Sequence, residues 1–302
     1  MPLSINFWSE LLPFEKLIPV IPKLSSYEMG LNLAITPQKA KKVRSVVKEC
    51  EKYNVELNFW PLLPKEKGYW INRWNIQIQP QWFRFLLENF PSVSSYLLDL
   101  EHPINFTGLK GNIMNKKLRQ LLPDDQVRTQ LEDLVALIHD YGKTVVSTSY
   151  GGIPLGINPR PSTADWYSYM VYTSFVKRLA DAETQENIIF YCANKIREEH
   201  GQEKAAIDLG LTYHGIISKD LTDFLGYLSL KELTAQIGIC KYVRLKRVHI
   251  FSIDNLVKNL DSWLEAIAEA PVRKPPLYVT GKKGFMYRAY KKVLFNRDLS
   301  EF

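Results

Sequence analysis

A single (β/α)8 TIM barrel with parallel strands is the fold this sequence predicts, on three observations. Strand-like runs alternate with helical periodicity in eight units along the 302 residues. That alternation implies parallel strands joined by crossover helices, and eight units imply closure. No G-x-G-x-x-G turn or P-loop follows an early strand, as a doubly wound open sheet would normally require. The length exceeds the usual single-core size, but α/β barrels fold as one domain at this length. The expected division is a barrel over 1–270 and a basic extension over 271–302, packed on the barrel or trailing from it.

Each unit has its own signal. Ser4 to Trp8 reads as the first strand, and Gly30 to Ile35 as the second after an apolar stretch broken by Pro19 and Pro22. Thr36-Pro37 opens a helix through Cys50, with threonine as N-cap and proline at the first position. Val55 to Leu62 is the third strand, and a long aromatic loop joins it to a helix over Pro80 to Phe90. Tyr96 to Glu101 is the fourth strand. A helical region from Ile113 to Asp140, broken near Pro123, leads through Tyr141-Gly142 to the fifth at Thr144 to Ser149. Trp166 to Tyr172, Ala205 to Thr212 and Val248 to Ile253 complete the strands. Helices over Thr184 to His200, Leu230 to Tyr242 and Asn255 to Ala268 fill the remaining crossovers.

Composition excludes several function classes. Hydrophobic residues at 46% and charged residues at 24% are ordinary globular values, which excludes disordered and fibrous chains. The net charge of +7 is spread thinly, apart from Lys39 to Arg44, Lys241 to Arg247 and the tail from Arg273 to Lys292. Only the tail, around Tyr287, Arg288, Tyr290 and Lys291, interleaves bases with aromatics, so nucleic acid is not the expected partner. Cys50, Cys192 and Cys240 are far apart, lack CxxC spacing and suit small buried thiols in a reducing compartment. Neither a leader pattern nor a run of spanning length is seen, so the expectation is a soluble, cytoplasmic protein without membrane association. Nothing in the sequence sets an oligomeric state.

The candidate chemical centre is the stretch Tyr96-Leu97-Leu98-Asp99-Leu100-Glu101-His102-Pro103, the alternative being an ordinary strand end whose acids pair with surface lysines. Alternate strand residues share a face, so Asp99 and Glu101 point the same way. An acidic pair is costly inside a sheet, which places it at the open end of a strand, where barrels hold their chemistry. The same rule brings Trp8, Glu10, Tyr150, Met170, Tyr172, Asp208, Tyr213 and Asp254 to the mouth. The loop from Gly68 to Asn75 puts Tyr69, Trp70, Asn72, Trp74 and Asn75 close together. Indole faces stack on the C–H faces of sugars and amides bond their hydroxyls, so this composition fits a carbohydrate groove. Alternatively, Trp70 and Trp74, at i and i+4, form one face of a short helix packed on the barrel. Trp60 reads as core.

The fourth and sixth strands resemble those of the family 18 glycoside hydrolases, the chitinases and their relatives. That family ends its fourth strand in Asp-x-x-Asp-x-Asp-x-Glu and carries Met-x-Tyr-Asp on its sixth. Here the first pattern falls on Ser94, Leu97, Asp99 and Glu101, with Pro103 behind, and the second on Met170, Tyr172 and Thr173. The last two of four acids match, and threonine replaces the sixth-strand acid. The resemblance implies substrate-assisted, retaining hydrolysis without a cofactor. Glu101 would be the general acid, Asp99 would orient the substrate's acetamido group, and Tyr172 would hold that group's oxygen.

Three further readings remain open. A metal-dependent isomerase or lyase barrel could use Glu101, Asp208, His214 and His249 as ligands, although no H-x-H or HExxH spacing supports it. A glycosidase of another family could pair Glu101 with Glu10, Asp208 or Asp254, their separation deciding retention or inversion. Finally, the missing acids suit a degenerate barrel that binds sugar or protein without turnover.

Overall fold

The computed structural model of the protein describes residues 3–101, 125–150, 160–178, 180–216 and 226–276. Eight parallel strands close into a barrel in sequence order: β1 (Ser4–Ser9), β2 (Gly30–Ile35), β3 (Leu57–Pro61), β4 (Ser95–Asp99), β5 (Thr144–Tyr150), β6 (Trp166–Val171), β7 (Ala205–Gly210) and β8 (Arg247–Phe251). Closure is made by β1 on β8, with Ser4 opposite Arg247 and Trp8 opposite Phe251. The (β/α)8 fold is therefore the observed one.

Strand parity sorts the side chains into two apolar clusters. Phe7, Leu31, Leu33, Phe59, Tyr96, Leu98, Ile207, Leu209, Val248 and Ile250 join one cluster with the surrounding helices. Trp8, Ala34, Trp60, Leu97, Val146, Met170 and Phe251, of opposite parity, meet inside the barrel. Both faces of every strand are thus buried, as parallel sheets require. Beneath the inner apolar layer the interior is polar. Asn6 and Asn58 donate to Asn32 Oδ1 at 3.5 and 3.0 Å, and Arg247 Nη1 donates to Glu56 Oε1 at 2.7 Å.

The helices follow their local signals with two differences. Thr36 caps as expected, its side chain accepting from Lys39 N, but the helix then breaks. Pro37–Ala40 and Arg44–Lys52 are separate segments. The last crossover begins as a 3-10 segment, Ile253–Asn259, before the helix Leu260–Ala268. Asp181 caps the helix Ala182–His200, and Ser229 and Glu232 form a capping box on Leu230–Val243. Cys50, Cys192 and Cys240 are buried thiols. No helix among the described residues is long and apolar enough to cross a membrane. Residues 271–276 lie against the outside, where Arg273 Nε donates to Glu186 at 2.8 Å and its backbone N–H to Gly238 O at 3.0 Å. The rest of the basic tail and His102, Pro103 and 104–124 lie outside the described residues.

Candidate active site

The C-terminal strand ends form one narrow cleft of roughly 380 Å³, counted out to bulk solvent. Its walls are Trp8, Trp60, Trp70, Met170, Tyr172, Leu211, Ile216 and Phe251, and its polar groups are Glu10, Asp99, Glu101 and Thr148. The aromatics pack edge to face: Trp8 on Trp60 at 4.8 Å, and Trp60 on Phe251 at 6.3 Å. Non-prolyl cis peptides at Gly210–Leu211 and Phe251–Ser252 lie at the mouth ends of β7 and β8.

Asp99 is the last residue of β4 and Glu101 follows it by two, so both reach the same cleft. Their side chains hydrogen-bond each other. Asp99 is buried, while Glu101 keeps part of its surface open. Burial drives the Asp99 carboxyl well above its usual range, and the charges of Glu101 and Asp208 add to it. Burial also pushes Glu101 up to about 8, with Glu10 and Asp208 adding to the rise and the Asp99 hydrogen bond opposing it. Carboxyls hydrogen-bonded to each other titrate as a unit, and burial here favours the protonated form of that unit.

Glu10, just beyond β1, is the third cleft acid. Tyr69 Oη donates to its Oε1 at 2.8 Å and the Ile216 N–H to its Oε2 at 2.9 Å. Burial pushes it up to about 7, against the lowering effect of the Tyr69 bond. Lys39 Nζ donates to the Glu10 carbonyl oxygen from behind. Gly215 lets the Ile216 N–H approach, because its φ is +56° and an added Cβ would run into Glu10 Oε2 and the Phe251 ring. Gly215→Ala is expected to destabilise the fold by about 1–3 kcal/mol, measured by urea denaturation.

The other expected site residues divide. Trp8, Trp70, Met170 and Tyr172 line the cleft with the acids. Tyr69 braces Glu10 instead. Asn72 braces its loop: its amide donates to the Trp70 carbonyl at 2.8 Å and accepts from Trp74 N at 3.1 Å. Asp254 is likewise a brace, accepting from Ser9 Oγ, Glu10 N and Leu11 N at 2.9, 3.0 and 2.7 Å. Asp208 lies deeper, accepting from Trp8 and Ser168. Tyr213 packs against His214 with the rings tilted and their centroids 3.9 Å apart, and it is not among the cleft-lining residues. Tyr150 ends β5, and its side chain lies outside the described residues.

The loop after β3 does not form a helix face. Trp70 is 5% exposed in the cleft wall and Trp74 is 47% exposed. Gly68, at φ +97°, turns the chain so that Ile71 N–H bonds the Asp99 carbonyl at 3.0 Å, stitching the loop to β4. Trp60, read from the sequence as core, is buried in the inner cluster and also lines the cleft, and Thr148, Leu211, Ile216 and Phe251 were not anticipated there. Parity carried the missing signal for two of them: Trp60 stands two residues beyond inward Asn58, and Thr148 is registered with Asp99. For the metal reading, no group of three or more His, Cys, Asp or Glu is placed to hold an ion among the described residues. His214 Nδ1 instead faces the Gly215 carbonyl at 2.6 Å.

The barrel is shared with glycoside-acting enzymes at low identity. A Bacteroides ovatus GH5 xyloglucanase, solved with a XXXG heptasaccharide, superposes with TM-score 0.52 at 8% identity, covering 89% of this chain and 74% of that one. A β-N-acetylhexosaminidase gives 0.51 at 11%, covering 98% and 76%. A β-glucuronidase from an uncultured Clostridium sp. gives 0.52 at 11%, covering 83% of this chain and 43% of that one. At such identities the likeness is one of fold. No protein-family model matches the sequence, and neither does any curated protein. Fold and site together define a (β/α)8 barrel with an acid-lined, aromatic-walled mouth.

Proposed function

We propose that the protein is a glycoside hydrolase in which Glu101 protonates the leaving oxygen of a bound saccharide. The observation that carries this reading is the hydrogen-bonded Asp99–Glu101 pair at the mouth end of β4 inside an aromatic cleft, where burial raises both carboxyls. A general acid needs such a raised carboxyl. Trp60 Nε1, Asp99 Oδ1 and Thr148 Oγ1 are buried without a partner among the described residues, and all three residues line the cleft. Unmet polar atoms there are costly unless a ligand rich in hydroxyls or amides satisfies them. The fold neighbours named above are a xyloglucanase, a β-N-acetylhexosaminidase and a β-glucuronidase, which adds support.

The finer mechanism follows the family 18 resemblance. The acetamido oxygen of the substrate attacks the anomeric carbon while the glycosidic C–O bond breaks and its oxygen takes the proton of Glu101. Asp99 then holds the acetamido N–H, Tyr172 steadies that group's oxygen, and water opens the cyclic intermediate. A second reading makes Glu10 the nucleophile or base, since of the three acids that could pair with Glu101 it alone lines the cleft.

A panel of aryl glycosides with and without a 2-acetamido group tests both, in the presence of chelator. Release of the aryl group from N-acetylated substrates alone is the expected result. Cleavage of substrates lacking that group would move the chemistry to Glu10, and loss of activity in chelator would return it to a metal.

A further inference from the structure

Thr148 carries a hydroxyl that the described fold does not use. It stands on β5 two residues beyond inward Val146 and faces the barrel interior, 1% exposed. Its backbone carbonyl accepts from Leu100 N at 2.9 Å. The register sets Asp99 on one side of it and Ser168 on the other, each one strand away, about 4.8 Å along the sheet. Neither takes the hydroxyl: Ser168 Oγ donates to Asp208 Oδ2 at 2.8 Å, and Asp99 is hydrogen-bonded to Glu101. Other hydroxyls near the mouth are closed by the chain, Ser9 Oγ on Asp254 at 2.9 Å and Thr212 Oγ1 on the Ser252 carbonyl at 2.6 Å. Thr148 Oγ1 has no partner among the described residues, and neither have Asp99 Oδ1 and Trp60 Nε1. Three consecutive strands, β3, β4 and β5, thus each bring one buried, unmet polar atom to the cleft. Valine has the shape of threonine and would carry no such cost, so the hydroxyl calls for a partner that arrives from outside.

We infer that Thr148 is a substrate-binding residue of this site, its hydroxyl bonding a ring hydroxyl of the same sugar residue that Asp99 contacts. The inference rests on the reading of the cleft as a glycoside site. It assigns a sugar contact to β5, where the resemblance of the fourth and sixth strands names none. A threonine hydroxyl both donates and accepts, and so does each hydroxyl of a sugar, so the two can pair in either sense. An apolar ligand in the same cleft would leave Thr148 Oγ1 unmet, which makes the residue a filter for hydroxyl-bearing rings.

Thr148→Val removes the hydroxyl at constant shape, and Thr148→Ser keeps it. On the aryl glycoside that wild type cleaves, the valine variant is expected to lose about five- to thirty-fold in kcat/KM, and the serine variant to stay within about three-fold of wild type. Without ligand, the full-length valine variant should melt about 1–3 °C above wild type, because a buried, unmet hydroxyl is gone. A hydroxyl held by another part of the chain would instead lose a bond, so a valine variant that melts lower, or does not fold, overturns the inference. An unchanged kcat/KM overturns it too, and an equal loss in the serine variant would assign the effect to the methyl group. If wild type cleaves no glycoside, the reading of Glu101 fails, and melting in N-acetylglucosamine decides the role of Thr148. A rise in wild type and Thr148→Ser that is missing in Thr148→Val supports it. A rise shared by all three proteins, or none in wild type, overturns it.

Discussion

Glu101→Gln is expected to lower turnover by about two to four orders of magnitude and, in the same protein, to raise the melting temperature at alkaline pH. Glutamine keeps the shape and the hydrogen bond to Asp99 but has no proton to give. The stability gain follows from linkage. Glu101 is pushed from 4.5 to about 8 in the folded chain, so the native state binds its proton more tightly than the unfolded state does. The stabilisation is fully present below the unfolded value and is lost as pH rises through the folded one. Glu10, pushed up to about 7, adds to the loss in the same direction. Wild type should therefore melt lower near pH 9 than near pH 5, and Glu101→Gln should narrow that difference. Wild-type activity, needing protonated Glu101, should fall above about pH 8. Initial rates on the cleaved aryl glycoside and melts at the two pH values check both. Undiminished turnover would transfer the proton to Glu10, and a melting difference that the variant leaves intact would assign the alkaline loss to other groups.

The fold was legible because its signals are local and repeated. Eight strand runs each lie beside a helical run, and caps such as Thr36 and Ser229 mark helix starts without tertiary help. The acid pair was legible for a related reason: i and i+2 in a strand share a face whatever the strand packs against. The rest of the cleft was not. In a parallel barrel both strand faces are buried, so Trp60 inside and Phe59 outside look alike in sequence, and only closure tells them apart. The loop contacts of Asn72 and Asp254 were not legible either, because an amide or carboxyl at a mouth has two uses. Backbone N–H groups of the loops claim it before a ligand can, as Trp74 and Leu11 do here. Asp208 was legible as an inward acid of β7, but its donors Trp8 and Ser168 come from other strands, and only closure brings them together.

The second large effect is expected at Asp99. Asp99→Asn leaves the shape of the β4 end intact, including an N–H that can donate to Glu101, but removes the proton that the two carboxyls share. That donor favours the carboxylate form of Glu101, so the acid is deprotonated at lower pH and the alkaline limb of the rate profile should shift downward. Turnover at neutral pH should fall by about ten- to hundred-fold, less than for Glu101→Gln because the proton donor itself remains. The distribution of that loss among substrates separates two roles. If Asp99 holds the acetamido N–H, its unpartnered Oδ1 is the atom that does so. The loss should then concentrate on N-acetylated aryl glycosides and appear in kcat rather than KM, since the group becomes a nucleophile only in the transition state. An equal loss on substrates with and without the acetamido group would mean that Asp99 acts only through Glu101. Substrate assistance would then give way to Glu10, the other cleft acid with a raised carboxyl, as the group that completes the reaction.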